Sequence, residues 1–164
     1  RAGATWLLPL ALATWPPPNP VVFLPWPSPL ASSLLVSYYK ASMSKIAIIE
    51  DDPVINQMYR MKFEAAGFDV QLADNGARGI ELIESFQPDI VLLDLQMPEK
   101  DGVEVLKSIR QSATTKDTPV LILTNLGEEE SPAELRDLGI TGYVVKADFT
   151  PSQVVERVHE VLAR

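Results

Sequence analysis

The sequence predicts an α/β protein in which a five-stranded parallel sheet carries helices on both faces. From Lys45 to the C-terminus, short apolar runs alternate with segments of helical periodicity, and this alternation is typical of right-handed strand–helix–strand units. One run, residues 90–93, is continuously apolar (Ile-Val-Leu-Leu), which indicates a strand buried on both faces. Ligands of such open sheets bind beyond the carboxyl ends of the strands, so functional residues are expected there.

The first 42 residues differ in composition from the rest. They hold 8 of the 14 prolines and all three tryptophans, but no acidic residue. Proline removes backbone donors and biases its neighbour toward extended conformations, so neither a long helix nor a central strand is expected. We expect residues 1–42 to be a Pro-rich extension that is disordered or foreign to the native protein, such as an over-extended reading frame. Residues 43–164 are then the domain. A signal peptide is the weaker alternative, because Arg1 alone is basic ahead of the apolar stretch.

Short apolar runs predict the strands, and capping residues place the helices between them. Asp52 is followed by Pro53, a favoured first helical residue. Apolar residues then recur near helical spacing from Val54 to Ala65. Ser131 and Thr150 begin capping boxes that Glu134 and Gln153 complete. The predicted strands cover residues 46–49, 68–73, 90–93, 120–123 and 143–145, and the predicted N-caps are Asp52, Asn75, Asp101, Ser131 and Thr150.

The composition excludes several classes of function. Residues 43–164 carry 12 basic and 22 acidic side chains, a formal balance of −10. Nucleic-acid affinity comes largely from Lys and Arg, so direct DNA or RNA binding is not expected. The chain has no cysteine, which excludes disulfides and thiolate metal sites. The apolar run over residues 6–15 is too short to span a bilayer, so no membrane insertion is expected.

Polar residues stand where the predicted strands end. Because the strands are parallel, their carboxyl ends share one edge of the sheet, and if strands one and three are neighbours, three carboxylates converge in one pocket. Two carboxylates about 4 Å apart repel by roughly 4 kcal/mol at an effective dielectric near 20. Mg²⁺ relieves such repulsion and also neutralises phosphoryl oxygens, so the set is typical of a phosphoryl-acceptor site. These residues are Glu50 and Asp51 after strand one, Asp94 after strand three, Thr124 at strand four and Lys146 at strand five.

An ordered set of landmarks resembles bacterial response-regulator receiver domains, which belong to two-component signalling systems. The resemblance covers essentially all of residues 43–164. It implies a flavodoxin-like receiver fold with strand order 2-1-3-4-5, an order taken from known members of the family. The landmarks are Ile48 to Pro53 (Ile-Ile-Glu-Asp-Asp-Pro), Asp89 to Pro98, Asp101-Gly102, Leu123-Thr124 and Gly142 to Lys146.

The resemblance also implies a role for each site residue. Asp94 would be the phosphoacceptor and would take its phosphoryl group from a histidine kinase. Mg²⁺ would be held by Asp94, by Asp51 directly, by Glu50 mainly through water, and by the backbone carbonyl of Gln96. Thr124 and Lys146 would bind the phosphoryl oxygens, and Tyr143 would be the aromatic residue that changes position as the domain switches.

The expected function is a phosphorylation-dependent signalling switch of a phosphorelay. Its expected partners are a sensor histidine kinase or phosphotransfer protein and an unidentified downstream protein. The chain ends at Arg164, where the fifth helix is predicted to finish, so no attached output domain is expected. Homodimerisation through the face of helix four, strand five and helix five, and a cytoplasmic location, follow from the family analogy only.

Two alternatives stay open on the sequence. A receiver-like interaction domain that is not phosphorylated is favoured by Ala147, because the family usually has proline after the lysine. A related enzyme is the other alternative. A dehalogenase-type phosphatase would need an aspartate where Gln96 stands, and neither a Gly-x-x-x-x-Gly-Lys-Ser/Thr loop nor a Gly-x-Gly-x-x-Gly fingerprint is present. The domain is therefore not expected to be an enzyme.

Overall fold

The computed structural model describes residues 44–98 and 101–164. In these ranges, five strands form one parallel sheet in the order β2-β1-β3-β4-β5. The predicted fold class and strand order are confirmed. The predicted extension over residues 1–42 lies outside the described residues. The strands are β1 (Lys45–Ile49), β2 (Asp69–Ala73), β3 (Ile90–Leu93), β4 (Val120–Thr124) and β5 (Gly142–Val145).

Helices connect successive strands and cover both faces of the sheet. One buried cluster joins α1 and α5 to the sheet, and the other joins α2, α3 and α4 to its opposite face. Within the described part of the chain, no helix is long and apolar enough to cross a membrane. The helices are α1 (Pro53–Ala65), α2 (Gly76–Phe86), α3 (Gly102–Gln111), α4 (Glu134–Asp137) and α5 (Pro151–Leu162), with a 3₁₀ turn at Glu128–Glu130.

Local capping chemistry sets most of the helix starts. The Asp52 carboxylate accepts hydrogen bonds from the backbone N–H groups of Val54 and Ile55, at 2.8 and 3.1 Å. Thr150 and Gln153 form the predicted capping box at the start of α5. Asn75 and Asp101 cap α2 and α3 in the same way. Four of the five predicted caps are confirmed.

The predicted capping box at Ser131 is wrong. α4 begins at Glu134, with Ala133 as its N-cap, and ends at Asp137 after a single turn. Leu135 is the buried residue of this helix. Helices in proteins are stabilised mainly by packing of a buried face, and α4 has little such packing. A capping signal marks where a helix can begin, whereas tertiary packing decides how far it extends.

The buried face of α1 is not the stripe that carries Val54 and Met61. Val54 and Met61 are 75% and 63% exposed, although they lie at helical spacing. Tyr59 and Phe63 turn toward the sheet instead and are almost fully buried, together with Asn56. Larger aromatic side chains bury more apolar area, which stabilises this orientation of the helix. An apolar stripe is left on the outer surface of α1.

Arg110, near the end of α3, fixes the polypeptide on both sides of β4. Its guanidinium donates four hydrogen bonds to backbone carbonyls at 2.8 to 3.0 Å. Charged donors make stronger hydrogen bonds than neutral ones, so this side chain stabilises the short α4 and the segment that leads to β5. The acceptors are the carbonyls of Lys116, Thr118, Leu138 and Gly139.

Candidate functional site

Three carboxylates meet at the carboxyl ends of β1 and β3. The two strands are parallel neighbours, and the backbone N–H of Asp94 donates to the carbonyl of Ile49 at 3.0 Å. This pairing puts Asp94 beside Glu50 and Asp51, and one carboxylate oxygen from each residue lies within 4.8 Å of the others. Glu50 and Asp94 are almost fully buried, and Asp51 is the most exposed of the three. The predicted convergence of the three carboxylates is what the structure shows.

Lys146 supplies the positive charge of the site. It follows β5, and its side chain crosses the end of β4 to reach carboxylates that follow β1 and β3. Its Nζ donates to Asp94 Oδ2 at 2.7 Å and lies 2.5 Å from Glu50 Oε2. The Lys146 side chain is only 7% exposed, so the two ion pairs are shielded from water and are not weakened by solvent as surface pairs are.

Burial and charge act against each other on the two ionisable groups. Burial raises the pKa of Glu50, and the Lys146 ammonium opposes that rise only in part. For Lys146, burial lowers the pKa, but hydrogen bonds and attraction from Asp94 and Glu50 outweigh it and raise the pKa overall. The ammonium is therefore charged at neutral pH. With three carboxylates against one ammonium, the site retains excess negative charge.

The carboxylate set fits a hard divalent cation. Mg²⁺ prefers oxygen ligands, and Glu50, Asp51 and Asp94 each offer one within a small volume. Glu50 Oε2 is buried, and the Lys146 ammonium beside it compensates its charge. Asp94 Oδ1 accepts a hydrogen bond from the backbone N–H of Gln96 at 3.1 Å. The role of the Gln96 carbonyl as a ligand stays a prediction.

Gly102 allows the start of α3 to approach the main chain of Asp94. Its N–H donates to the carbonyl of Leu95 at 3.1 Å. A Cβ atom at this position would overlap the Asp94 carbonyl, so any larger residue would push Asp94 away from the other carboxylates. Glycine is required here by close packing at the site.

Thr124 and Tyr143 are linked through one residue of the loop after β4. Thr124 is fully buried at the end of β4, and its Oγ1 accepts a hydrogen bond from the N–H of Leu126 at 3.5 Å. The Tyr143 hydroxyl donates to the carbonyl of the same Leu126 at 3.0 Å. The backbone N–H of Lys146 also donates to the Thr124 carbonyl, at 2.8 Å. A shift of this loop would therefore change the hydrogen bonds of both the Thr124 and the Tyr143 side chains.

A family comparison identifies the domain. The response regulator receiver domain family matches residues 46–159. The chain belongs to this family. Receiver domains are the signalling domains of two-component response regulators. A phosphoacceptor aspartate and Mg²⁺ binding are characteristic of the family, and its members interact with histidine kinases or phosphotransfer proteins.

Relatives of this receiver domain are response regulators. RpaA of Synechocystis, a DNA-binding dual master transcriptional regulator, is 38% identical over 122 residues, which cover 74% of this chain and 50% of RpaA. The transcriptional regulatory protein ResD of Bacillus subtilis is 36% identical over 121 residues, covering 74% of this chain and 49% of ResD. The chain thus spans about half the length of these relatives.

Solved receiver structures have the same fold. The chemotaxis response regulator CheY4 of Vibrio cholerae aligns with a TM-score of 0.67 and 29% identity, covering 73% of this chain and 98% of CheY4. The beryllofluoride-activated receiver domain of Klebsiella pneumoniae RstA aligns with a TM-score of 0.65 and 28% identity, covering 73% of this chain and 99% of that domain.

The residue after Lys146 differs from the usual receiver sequence, but Lys146 still lies in the site. Ala147 stands where most receivers have proline, and the peptide bond between Lys146 and Ala147 is trans. The N–H of Asp148 donates to the carbonyl of Val145 at 3.0 Å, which closes a turn. Lys146 contacts both buried carboxylates in this geometry.

Asn56 is the site neighbour that sequence reasoning missed. Its amide Nδ2 donates to the backbone carbonyls of Glu50 and Ala73, at 2.9 and 3.2 Å. The available signal was a polar residue at helical spacing from Tyr59 and Phe63, on the face of α1 that packs against the sheet. An isolated asparagine within a helix is nonetheless ordinary, so the sequence alone gave little reason to choose it.

Proposed function

We propose that this receiver domain is a phosphorylation-dependent switch of a phosphorelay and that Asp94 is its phosphoacceptor. The observation that carries the proposal is the pairing of a buried carboxylate, Asp94, with the Lys146 ammonium at 2.7 Å, inside a cluster of two further carboxylates. A carboxylate oxygen of Asp94 attacks the phosphorus of a phosphohistidine on the donor protein. The P–N bond breaks, and its electron pair returns to the imidazole as an acyl phosphate forms.

The residues around Asp94 have complementary parts in this transfer. Glu50, Asp51 and Asp94, with the Gln96 carbonyl, would hold Mg²⁺, which when bound supplies charge that offsets the phosphoryl oxygens. Lys146 compensates negative charge on Asp94 and on the arriving phosphoryl group. The buried Thr124 hydroxyl donates to a phosphoryl oxygen once its side chain turns toward Asp94. Together these groups favour transfer to this one aspartate.

The new charge is read through the loop after β4. A phosphoryl group adds about −1.5 to −2 charges and strong acceptor oxygens. When Thr124 moves toward them, its hydrogen bond with Leu126 is lost, and the contact of the Tyr143 hydroxyl with the Leu126 carbonyl is disturbed. The surface of α4, β5 and α5 then changes, and a downstream protein or a second copy binds this altered face. A stand-alone organisation without an output domain and a cytoplasmic location stay predictions.

The outer stripe of α1 is a suitable docking surface for the phosphodonor protein. The donor histidine has to reach Asp94, so the donor must contact the rim of the site, and α1 begins on that rim directly after Asp51 and Asp52. From there the exposed side chains of Val54, Met58 and Met61 run along one face of the helix. Apolar side chains at i, i+4 and i+7 match an amphipathic helix of a partner.

A charge in this stripe is expected to slow transfer from the protein donor only. Met61→Asp is expected to reduce the rate of transfer from a phosphorylated kinase or phosphotransfer protein by roughly 10-fold or more, because burying the new carboxylate is unfavourable. Labelling by acetyl phosphate, which needs no docking surface, is expected to be unchanged. Ala77→Asp on α2 adds the same charge on the opposite side of the sheet and serves as the control. Equal slowing with both donors would contradict the docking role.

Beryllofluoride with Mg²⁺ tests the proposed function against an unphosphorylated interaction domain. Because beryllofluoride mimics a phosphoryl group on aspartate, it is expected to bind the wild-type chain and to shift the backbone amide NMR signals of Leu126 and Gly127. The shifts are expected to disappear when Mg²⁺ is chelated, and to be absent from the Asp94→Asn variant. A spectrum of the wild-type chain unchanged by beryllofluoride and Mg²⁺ would favour the interaction domain instead.

A further inference from the structure

Asn56 is a polar residue buried against the carboxyl ends of β1 and β2. It lies in the first turns of α1 and is 5% exposed. Its Nδ2 donates one hydrogen bond to the Glu50 carbonyl at 2.9 Å and another to the Ala73 carbonyl at 3.2 Å. The first acceptor is the residue that follows β1, and the second is the last residue of β2. One side-chain amide therefore joins α1 to both strand ends.

The Glu50 carbonyl belongs to the peptide unit that connects the two adjacent acidic residues of the site. The N–H of Glu50 donates to the carbonyl of Ala73 at 3.1 Å. The Glu50 carbonyl accepts a hydrogen bond from Asn56, and Glu50 Oε1 accepts one from the N–H of Asp52 at 3.3 Å. Asn56 thereby restrains the rotation of the peptide between Glu50 and Asp51, which sets the directions of the two side chains.

We propose that Asn56 is a positioning residue for the Mg²⁺ site. It acts on the metal through the peptide between Glu50 and Asp51 and contacts neither the metal nor the phosphoryl group. The inference rests on the Mg²⁺ site of the proposed function. Residues that hydrogen-bond to the immediate surroundings of a metal orient its ligands, and their loss weakens metal binding.

The unpaired oxygen of Asn56 supports a role beyond stability. Asn56 Oδ1 is buried and has no hydrogen-bond partner among the described residues. An unsatisfied buried acceptor destabilises a fold. A leucine of similar volume would remove this acceptor but would also remove both donated hydrogen bonds. Loss of the unpaired acceptor raises stability, and loss of the two hydrogen bonds lowers it. For the Glu50–Asp51 peptide, loss of the hydrogen bonds only weakens the restraint on its orientation.

Calorimetric Mg²⁺ titration of the full chain tests the inference. Asn56→Leu is expected to raise the Kd for Mg²⁺ roughly 10- to 100-fold, the range typical when a residue supporting metal ligands is lost. Thr115→Val is the matched control. Thr115 is also buried, and its hydroxyl donates to the Ile109 carbonyl at 3.0 Å, but it precedes β4 and lies at the opposite edge of the sheet. Removal of the Thr115 hydroxyl is expected to leave the Kd for Mg²⁺ unchanged.

Thermal unfolding of each variant separates positioning from stability. If Asn56→Leu does not fold, Asn56→Ala takes its place, with the same expected loss of Mg²⁺ affinity. A Kd unchanged from wild type in the folded variant overturns the inference and leaves the proposed function standing. So does an equal rise in Kd for Thr115→Val, since a merely structural effect would then explain both. A wild-type chain that binds no Mg²⁺ overturns the proposed metal site itself.

Discussion

Asp94→Asn is expected to abolish phosphoryl transfer to this receiver domain. The substitution keeps the shape of the side chain and removes the carboxylate nucleophile, and loss of a nucleophile lowers rates by at least roughly 10³-fold. Asp94 is 4% exposed, and the Lys146 ammonium contacts its Oδ2 at 2.7 Å. Glu50 is similarly buried and contacts the same ammonium, so Glu50 stays in place in this variant as a second carboxylate of the site. Labelling is followed by radioactive transfer from a phosphorylated donor and by intact mass.

The control for this variant is a second aspartate at the same edge of the sheet. Asp101→Asn alters the exposed N-cap of α3, where the side chain accepts a hydrogen bond from the N–H of Glu104 at 2.9 Å. The change is expected to reduce helix stability slightly and to leave labelling intact. Undiminished labelling of Asp94→Asn would contradict the assignment of the phosphoacceptor. So would an equal loss of labelling in both variants.

Lys146→Met is expected to lower the free energy of unfolding of the metal-free chain by about 3–5 kcal/mol, as is usual when one partner of a buried ion pair is removed. The variant leaves Glu50 and Asp94 buried together without a positive charge. Mg²⁺ is expected to stabilise the variant more than it stabilises wild type, because the cation then compensates charges that lysine no longer neutralises. Urea unfolding with and without Mg²⁺ measures both effects.

The loss of stability in Lys146→Met is expected to grow with pH. Burial already raises the pKa of Glu50 above its ordinary value of 4.5, and the ammonium that opposes this rise is gone in the variant. The folded variant then binds a proton that the unfolded chain releases, so its stability falls as pH rises from 4.5 through the raised folded pKa. The deficit is smallest in acid and largest at neutral pH. Lys107→Met removes the exposed ion pair with Glu134 and is the control, with little change expected at any pH. A deficit independent of pH would contradict this account.

The sequence by itself determined the fold class and the residues at the strand ends. Strand and helix periodicity are local properties, as is the capping chemistry of Asp52 and Thr150, so they can be read without knowledge of distant contacts. The positions of Glu50, Asp51 and Asp94 after apolar runs were enough to predict that they lie at one edge of the sheet, where parallel strands place their carboxyl ends. Their convergence also required strands one and three to be neighbours. The strand order itself came from the family resemblance.

Only the tertiary structure decided how the elements pack around that edge. It buries Tyr59 and Phe63 instead of the Val54 and Met61 stripe, and it limits α4 to one turn. It also carries the Lys146 side chain past β4 to two carboxylates and brings Asn56 against the Glu50 carbonyl. Each of these outcomes depends on burial and on hydrogen bonds between residues far apart in the chain. Such contacts leave no periodic or local signal in the sequence, because their free energy exists only once the sheet has formed.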